Sequence, residues 1–200
     1  AVGAEVITIH PGYLLLLRKS TNFIKKIYLG QLKEVLSELV MFREETKVKI
    51  AIENMEKAEG LLLTNVDEII TILKGVPDLY LTLDIGHIVK SGDDPIEFIN
   101  KLYESWLFPK IAAVHIHAVK DGKDHLPLGK GETEWVKILA HLADSGYIGP
   151  IILEAVPFEG GEFIRFVRFV KGPSSSPIFS QRLTPAQIEG RFGIFSSPIG

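Results

Sequence analysis

The stretch Tyr80-Leu81-Thr82-Leu83-Asp84-Ile85-Gly86-His87 decides the fold: a mostly apolar run of strand length breaks off at an acid, a glycine and a histidine. Residues apolar on successive positions suit a strand covered on both faces, as parallel strands between helices are. The pattern recurs along the chain. Val6 to Ile9 ends in His10-Pro11-Gly12, Val48 to Ile52 in Glu53-Asn54-Met55, Ile111 to Ile116 in His115-Ile116-His117, and Ile151 to Leu153 in Glu154. Longer segments with helical spacing separate these runs. Asn22 to Lys47 carries Phe23, Ile27, Leu32, Val35, Leu36, Leu39 and Val40 at such intervals, and Asn65 to Leu73 opens on an N-cap asparagine. Asp94-Pro95 starts a third helix, and Glu134 to Asp144 forms a fourth that stops near Gly146. Strand followed by helix, repeated, predicts a parallel α/β domain, barrel or open sheet.

Every predicted strand ends in Asp, Glu or His. In parallel α/β folds the carboxyl ends of the strands face one side, where binding and catalysis are built, so residues far apart in sequence converge there. One such residue has a plain structural reading as a hydrogen-bonded histidine or a solvated glutamate. Five strands in succession point to a metal or acid/base site. The chain has no cysteine, which removes thiol catalysis, disulfides and thiolate zinc sites. Carboxylate oxygen with imidazole nitrogen suits Mn, Mg, Co, Fe or Zn, and such an ion polarises a carbonyl.

Six segments taken together resemble a known family. Ile9-His10-Pro11-Gly12, Ile52-Glu53-Asn54-Met55, Leu83 to His87, Val114 to His117, Asp124 to Gly131 and Ile151 to Glu154 look like the xylose isomerase-like TIM barrels, in that family's order and over about residues 4 to 171. The superfamily holds sugar and sugar-phosphate isomerases and epimerases together with endonuclease IV-type apurinic-site repair enzymes. Resemblance to the ketose epimerases implies that Glu53, Asp84, His115 and Glu154 hold one divalent ion (Mn, Mg, Co or Zn). Glu53 and Glu154 then form an acid/base pair on opposite faces of a sugar, working through an enediolate, and His87 sits at the rim against a substrate hydroxyl. The loop His125 to Glu132 looks like the one that closes over the sugar in that branch.

Resemblance to endonuclease IV implies instead that His10, His87 and His125 join those residues around up to three zinc ions. That branch has an acid two residues before His125, where this chain has Lys123, with Asp124 adjacent but displaced. The formal net charge of −3 also lacks the basic footprint of a nucleic-acid binder. A third reading is an inactive remnant that binds metal or sugar without turnover. His117 shares the parity of His115 and is expected at the rim or behind the ligands. Tyr13 is a candidate for lining the pocket. Trp106, Phe108 and Trp135 have two readings, as walls for a sugar or as packing, and His141 reads as a helix surface residue. Ala118 and Val119 stand where many relatives carry Asp and Asn, so contacts made there to a substrate are expected to be missing.

A complete (β/α)₈ barrel takes about 250 residues, whereas 200 residues here supply five matching units. The expected organisation is a partial TIM-barrel catalytic domain over 1–171, ending in a helix with Phe163, Phe166, Val167 and Val170, then a linker and irregular tail over 172–200. The linker is Gly172-Pro173-Ser174-Ser175-Ser176-Pro177, Ile188-Glu189-Gly190-Arg191 looks like a processing-protease site, and Arg191 to Ile199 weakly resembles a first barrel strand. An open sheet exposes edges, so a cover for at least one edge, or self-association through them, is expected. The longest apolar run, Tyr13 to Leu17, is far below the ~20 residues of a membrane span; with no signal-peptide pattern, the cytoplasm is the default expectation. The expected partner is a small-molecule sugar, with nucleic acid only under the endonuclease-like reading.

Overall fold

The computed structural model describes residues 4–13, 22–41 and 47–155. Five strands form one all-parallel sheet. In chain order they are β1 (Val6–Ile9), β2 (Lys49–Glu53), β3 (Tyr80–Asp84), β4 (Ile111–Ile116) and, after a hairpin described below, β7 (Ile151–Leu153). Each pairs with the next, so spatial order follows sequence order, as in a barrel built unit by unit. Crossover helices α1 (Asn22–Met41), α2 (Val66–Gly75), α3 (Ile85–Lys90), α4 (Pro95–Glu104) and α5 (Trp135–Asp144) link them.

The sheet is curled. Thr8 on β1 and Thr82 on β3 are separated by β2, yet their hydroxyls hydrogen-bond at 2.8 Å, which requires both to turn onto the concave face. Side chains alternate along a strand, so His10 and Asp84, two residues further on, belong to that face one layer higher. The result is an α/β half-barrel of the TIM type.

The helices form where the sequence places their caps. Asn65 Oδ1 accepts from the Glu68 backbone N–H at 3.0 Å, while Glu68 reaches back to the Thr64 N–H and the Asn65 amide. That reciprocal arrangement satisfies donors a helix start leaves open. Asp94 caps α4 in front of Pro95. Inward faces follow helical spacing: Val66, Ile69, Ile72 and Leu73 on α2, Phe98, Ile99 and Leu102 on α4, and Trp135, Ile138, Leu139 and Leu142 on α5 are buried. Each fully buried Leu or Ile contributes about 1.5–3 kcal/mol over an exposed one.

The elements differ from expectation in two ways. On α1 only part of the apolar stripe is inward: Leu36 is buried and Leu32, Leu39 and Val40 pack against the core, but Phe23, Ile27 and Val35 are exposed. Helix α3 is an addition to the expected elements, as is the antiparallel hairpin β5 (Ala118–Lys120) and β6 (Lys123–Leu126), turned by Asp121 and Gly122 at φ 51 and 74. No strand among the described residues pairs with the outer side of β1 or β7, so the expected cover for an edge is not found there. The tail invoked for it, 172–200, lies outside the described residues, as does the helix expected over 163–170. Among the described residues no helix is long and apolar enough to cross a membrane.

Candidate metal centre

The strand register brings the acids and histidines together. Ile9 pairs with Ile52, Asp84 with His115, and Ile116 with Leu153, so His10, Glu53, Asp84, His115 and Glu154 all emerge at the carboxyl end of the sheet. Glu53, Asp84, His115 and Glu154 each offer one ligand atom, all within 4.8 Å of one another. His115 Nδ1 lies 3.2 Å from Glu53 Oε1 and 3.1 Å from Glu154 Oε1. Glu53, Asp84 and His115 are buried, and Glu154 is half-buried at the mouth.

Burial pulls the His115 pKa down, but its hydrogen bonds to Glu154 and Glu53 outweigh this and raise it to about 10. The same bond to His115 holds Glu154 below its ordinary range. Burial alone would raise Asp84, yet the His117 contact and the nearby His87 leave it lowered. Three carboxylates at one point are thus each faced by an imidazole, a donor set a divalent cation fits.

Neighbouring groups lock these ligands. Asp84 Oδ1 accepts from the His87 backbone N–H at 2.8 Å and caps α3, and Asn54 clamps the strand end through its side chain, accepting from the Asp84 N–H and donating to the Asp84 carbonyl. His117 Nδ1 accepts from the His125 N–H at 3.0 Å, so the ring proton sits on Nε2, which faces Asp84 Oδ1 at 3.2 Å. Asp84 Oδ2 is left buried with no hydrogen-bond partner among the described residues. A buried carboxylate oxygen without a partner is costly, and a bound cation supplies what it lacks. The four residues therefore fit a single divalent ion.

The remaining candidates lie around this centre. His10 is largely exposed, with Nε2 3.1 Å from Glu53 Oε2. His87 is not at the rim: it is buried, because its Nδ1–H donates to the Asn54 carbonyl at 2.9 Å and turns the ring inward. His117 likewise is fully buried behind Asp84 rather than at the rim, under Gly86, where a Cβ would lie 2.2 Å from the ring. His125 stacks on His117 at 4.2 Å and takes a left-handed φ of 52, with Nε2 3.8 Å from Glu154 Oε2. Asp124 is engaged by Lys90, and Tyr13 is exposed and bridges Leu61 through its backbone, without a hydrogen bond to the ligand set among the described residues. His141 pairs with Asn100 on the helix surface.

Trp106 and Phe108 do not wall this site. They line a separate cleft with Val6, Lys49 and Pro150 at the amino ends of the strands, and Trp135 packs into the core. Asn54, Glu56 and Lys90 matter to the site although their residue types alone do not mark them. Asn54 directly follows Glu53, the one signal that could have flagged it.

The family model for the xylose isomerase-like TIM barrel matches residues 1–164. An uncharacterized protein of Methanocaldococcus jannaschii is 33% identical over 156 residues, covering 76% of this chain and 50% of its own length. A second protein of that organism is 30% identical over 151 residues, covering 75% and 52%. The chain therefore spans about half the length of these relatives. The crystal structure of a D-tagatose 3-epimerase-like protein aligns with TM-score 0.64 at 33% identity, over 76% of this chain and 55% of that one. L-ribulose 3-epimerase aligns with TM-score 0.60 at 19% identity over 74% and 46%, and the IOLI protein, solved with a zinc atom, with TM-score 0.59 at 21% over 76% and 54%; at these identities the likeness is one of fold. Sequence, half-barrel and family match agree: the chain belongs to the xylose isomerase-like TIM barrel family.

Proposed function

We propose that this chain carries the metal-binding half of a sugar or sugar-phosphate isomerase or epimerase, with Glu53, Asp84, His115 and Glu154 holding one divalent ion. The observation that carries the reading is the convergence of these four around a buried, unpartnered Asp84 oxygen. The 33% identity to a D-tagatose 3-epimerase-like protein supports the substrate class.

The reaction is proton transfer at a carbon next to a carbonyl, which needs a positioned base and stabilisation of the developing oxyanion. A bound divalent ion supplies that electrophilic stabilisation. Glu154, half-buried at the mouth and ionised against His115, is placed to take the proton. Glu53, buried between His10 and His115, serves as its acid/base counterpart on the other side. His125 approaches Glu154 from the hairpin, its Nε2 3.8 Å from Glu154 Oε2.

Deuterium exchange tests this reading. With manganese, cobalt or zinc supplied, NMR in heavy water should show the label entering a ketose or ketose phosphate next to its carbonyl. Glu154→Gln should lower the rate at least about 100-fold, the scale of a general acid/base contribution, with the circular dichroism spectrum unchanged. Exchange at full rate in that variant, or none with any ketose, would overturn the assignment. The phosphodiesterase reading needs Asp124 for a further ion, and Lys90 already engages it.

A further inference from the structure

Beside the ligand set lies a second ring of metal-capable groups with a cation already inside it. Lys90, on α3, carries its ammonium 3.1 Å from Glu56 Oε1, and in ion-pair contact with Asp124 Oδ2. Glu56 Oε2 stands 3.7 Å from His87 Nε2, and Asp124 Oδ1 stands 3.3 Å from His125 Nδ1. His87 donates its Nδ1 proton to the Asn54 carbonyl, which turns Nε2 toward Glu56. The ring thus holds two carboxylates and two imidazoles, ligand types that divalent ions use. Its two carboxylates share one lysine that is itself three-quarters buried.

We propose that the Lys90 ammonium serves as a built-in second cation: it bridges Glu56 and Asp124, the carboxylates that face His87 and His125, and so restricts the centre to one metal ion per chain. This rests on the one-ion reading above and adds what sets the number. Lys90 also ties the hairpin to α3, because Asp124 belongs to β6. Both carboxylates are held in their charged forms with its help: burial raises the pKa of each, and hydrogen bonds and charges, those of Lys90 among them, more than offset this, bringing Asp124 to about 2. Removing the ammonium leaves two partly buried negative charges within a few ångströms, a strong attraction for a divalent ion.

Zinc titration with metal analysis after gel filtration tests the proposal. The unaltered chain should retain one zinc, and a second should not bind tightly even in excess. Lys90→Met should retain two, with affinity for the second ion raised roughly 100-fold, since a unit charge at this range is a large fraction of a site's binding energy. Lys90→Arg, which keeps the charge, should retain one, and Lys90→Met combined with Asp124→Asn should return to one. Two tightly held ions in the unaltered chain would overturn the proposal whether or not the Met variant folds. So would a folded Met variant that stays at one. Retention of no ion by the unaltered chain would instead refute the metal-centre reading, so the two failures are distinguishable.

Discussion

Replacing Gly86 by Ala tests how tightly the groups behind Asp84 are packed. A Cβ there would meet His117 Cε1, Nε2 and Nδ1 at 2.2, 2.3 and 2.4 Å, about 1 Å or more short of ordinary van der Waals contact. The ring has nowhere easy to go. It is fully buried, stacked on His125 and fixed by the His125 N–H on one side and Asp84 on the other. Overpacking of this kind costs about 1–3 kcal/mol, against which Ala in a helix gains only about 0.5–1 kcal/mol over Gly. Gly86→Ala should therefore lower stability by about 1–2 kcal/mol in urea denaturation. Because the displaced ring faces Asp84 Oδ1, metal affinity should also fall by about 10–100-fold, the usual effect of disturbing a group behind a ligand. The double variant Gly86→Ala/His117→Ala isolates the cause: with the ring gone, the added methyl should be neutral or stabilising relative to His117→Ala alone. If Gly86→Ala matches the parent in stability and affinity, or is equally harmful without the ring, the packing argument is wrong.

Further outcomes follow from the same contacts. In the metal-free chain the folded-state pKa of His115 is raised to about 10 from 6.5. Its stabilising contribution is thus full below pH 6.5 and lost as pH rises through 10, which denaturation of metal-free protein between about pH 6 and 10.5 would show as a falling midpoint. A metal must displace that proton, so at about pH 8 calorimetry in buffers of different ionisation enthalpy should detect about one proton released per ion, with affinity rising toward about pH 10; buffer-independent heat would count against His115 as a ligand. Asn65→Ala removes the N-cap of α2 and should cost about 1 kcal/mol in denaturation while leaving metal affinity unchanged, since α2 contributes none of the ligands.

How far the structure is legible in the sequence depends on the range of the interactions. Strands buried on both faces announce themselves by unbroken apolar runs, and caps such as Asn65 and Asp94 by residue type, because both effects are local. The positions of Glu53, Asp84, His115 and Glu154 at strand ends are equally plain, since parallel register turns that pattern into convergence. Depth is not local. His87 reads as a rim residue and His117 as one at the rim or behind the ligands, but the burial of the first is decided by the Asn54 carbonyl and that of the second by the absence of a side chain at Gly86. The exposed stripe on α1 has the same origin: Phe23 and Ile27 have helical spacing, and only the position of α1 against the sheet shows that they remain uncovered. The hairpin was within reach, since Asp-Gly between short strands is a strong turn signal, and Asp121-Gly122 carries it. Lys90 had no such signal, because its partners Glu56 and Asp124 lie 34 residues away on either side.

In the proposed centre Glu53, Asp84, His115 and Glu154 share one ion. Crystals of the chain soaked in manganese, with diffraction data collected above the manganese edge, test it most directly. A single anomalous peak per chain is expected within coordination distance of Glu53, Asp84, His115 Nδ1 and Glu154, with Asp84 Oδ2 among its ligands. No peak there, or a principal peak between Glu56 and Asp124 with Lys90 turned away, would contradict it.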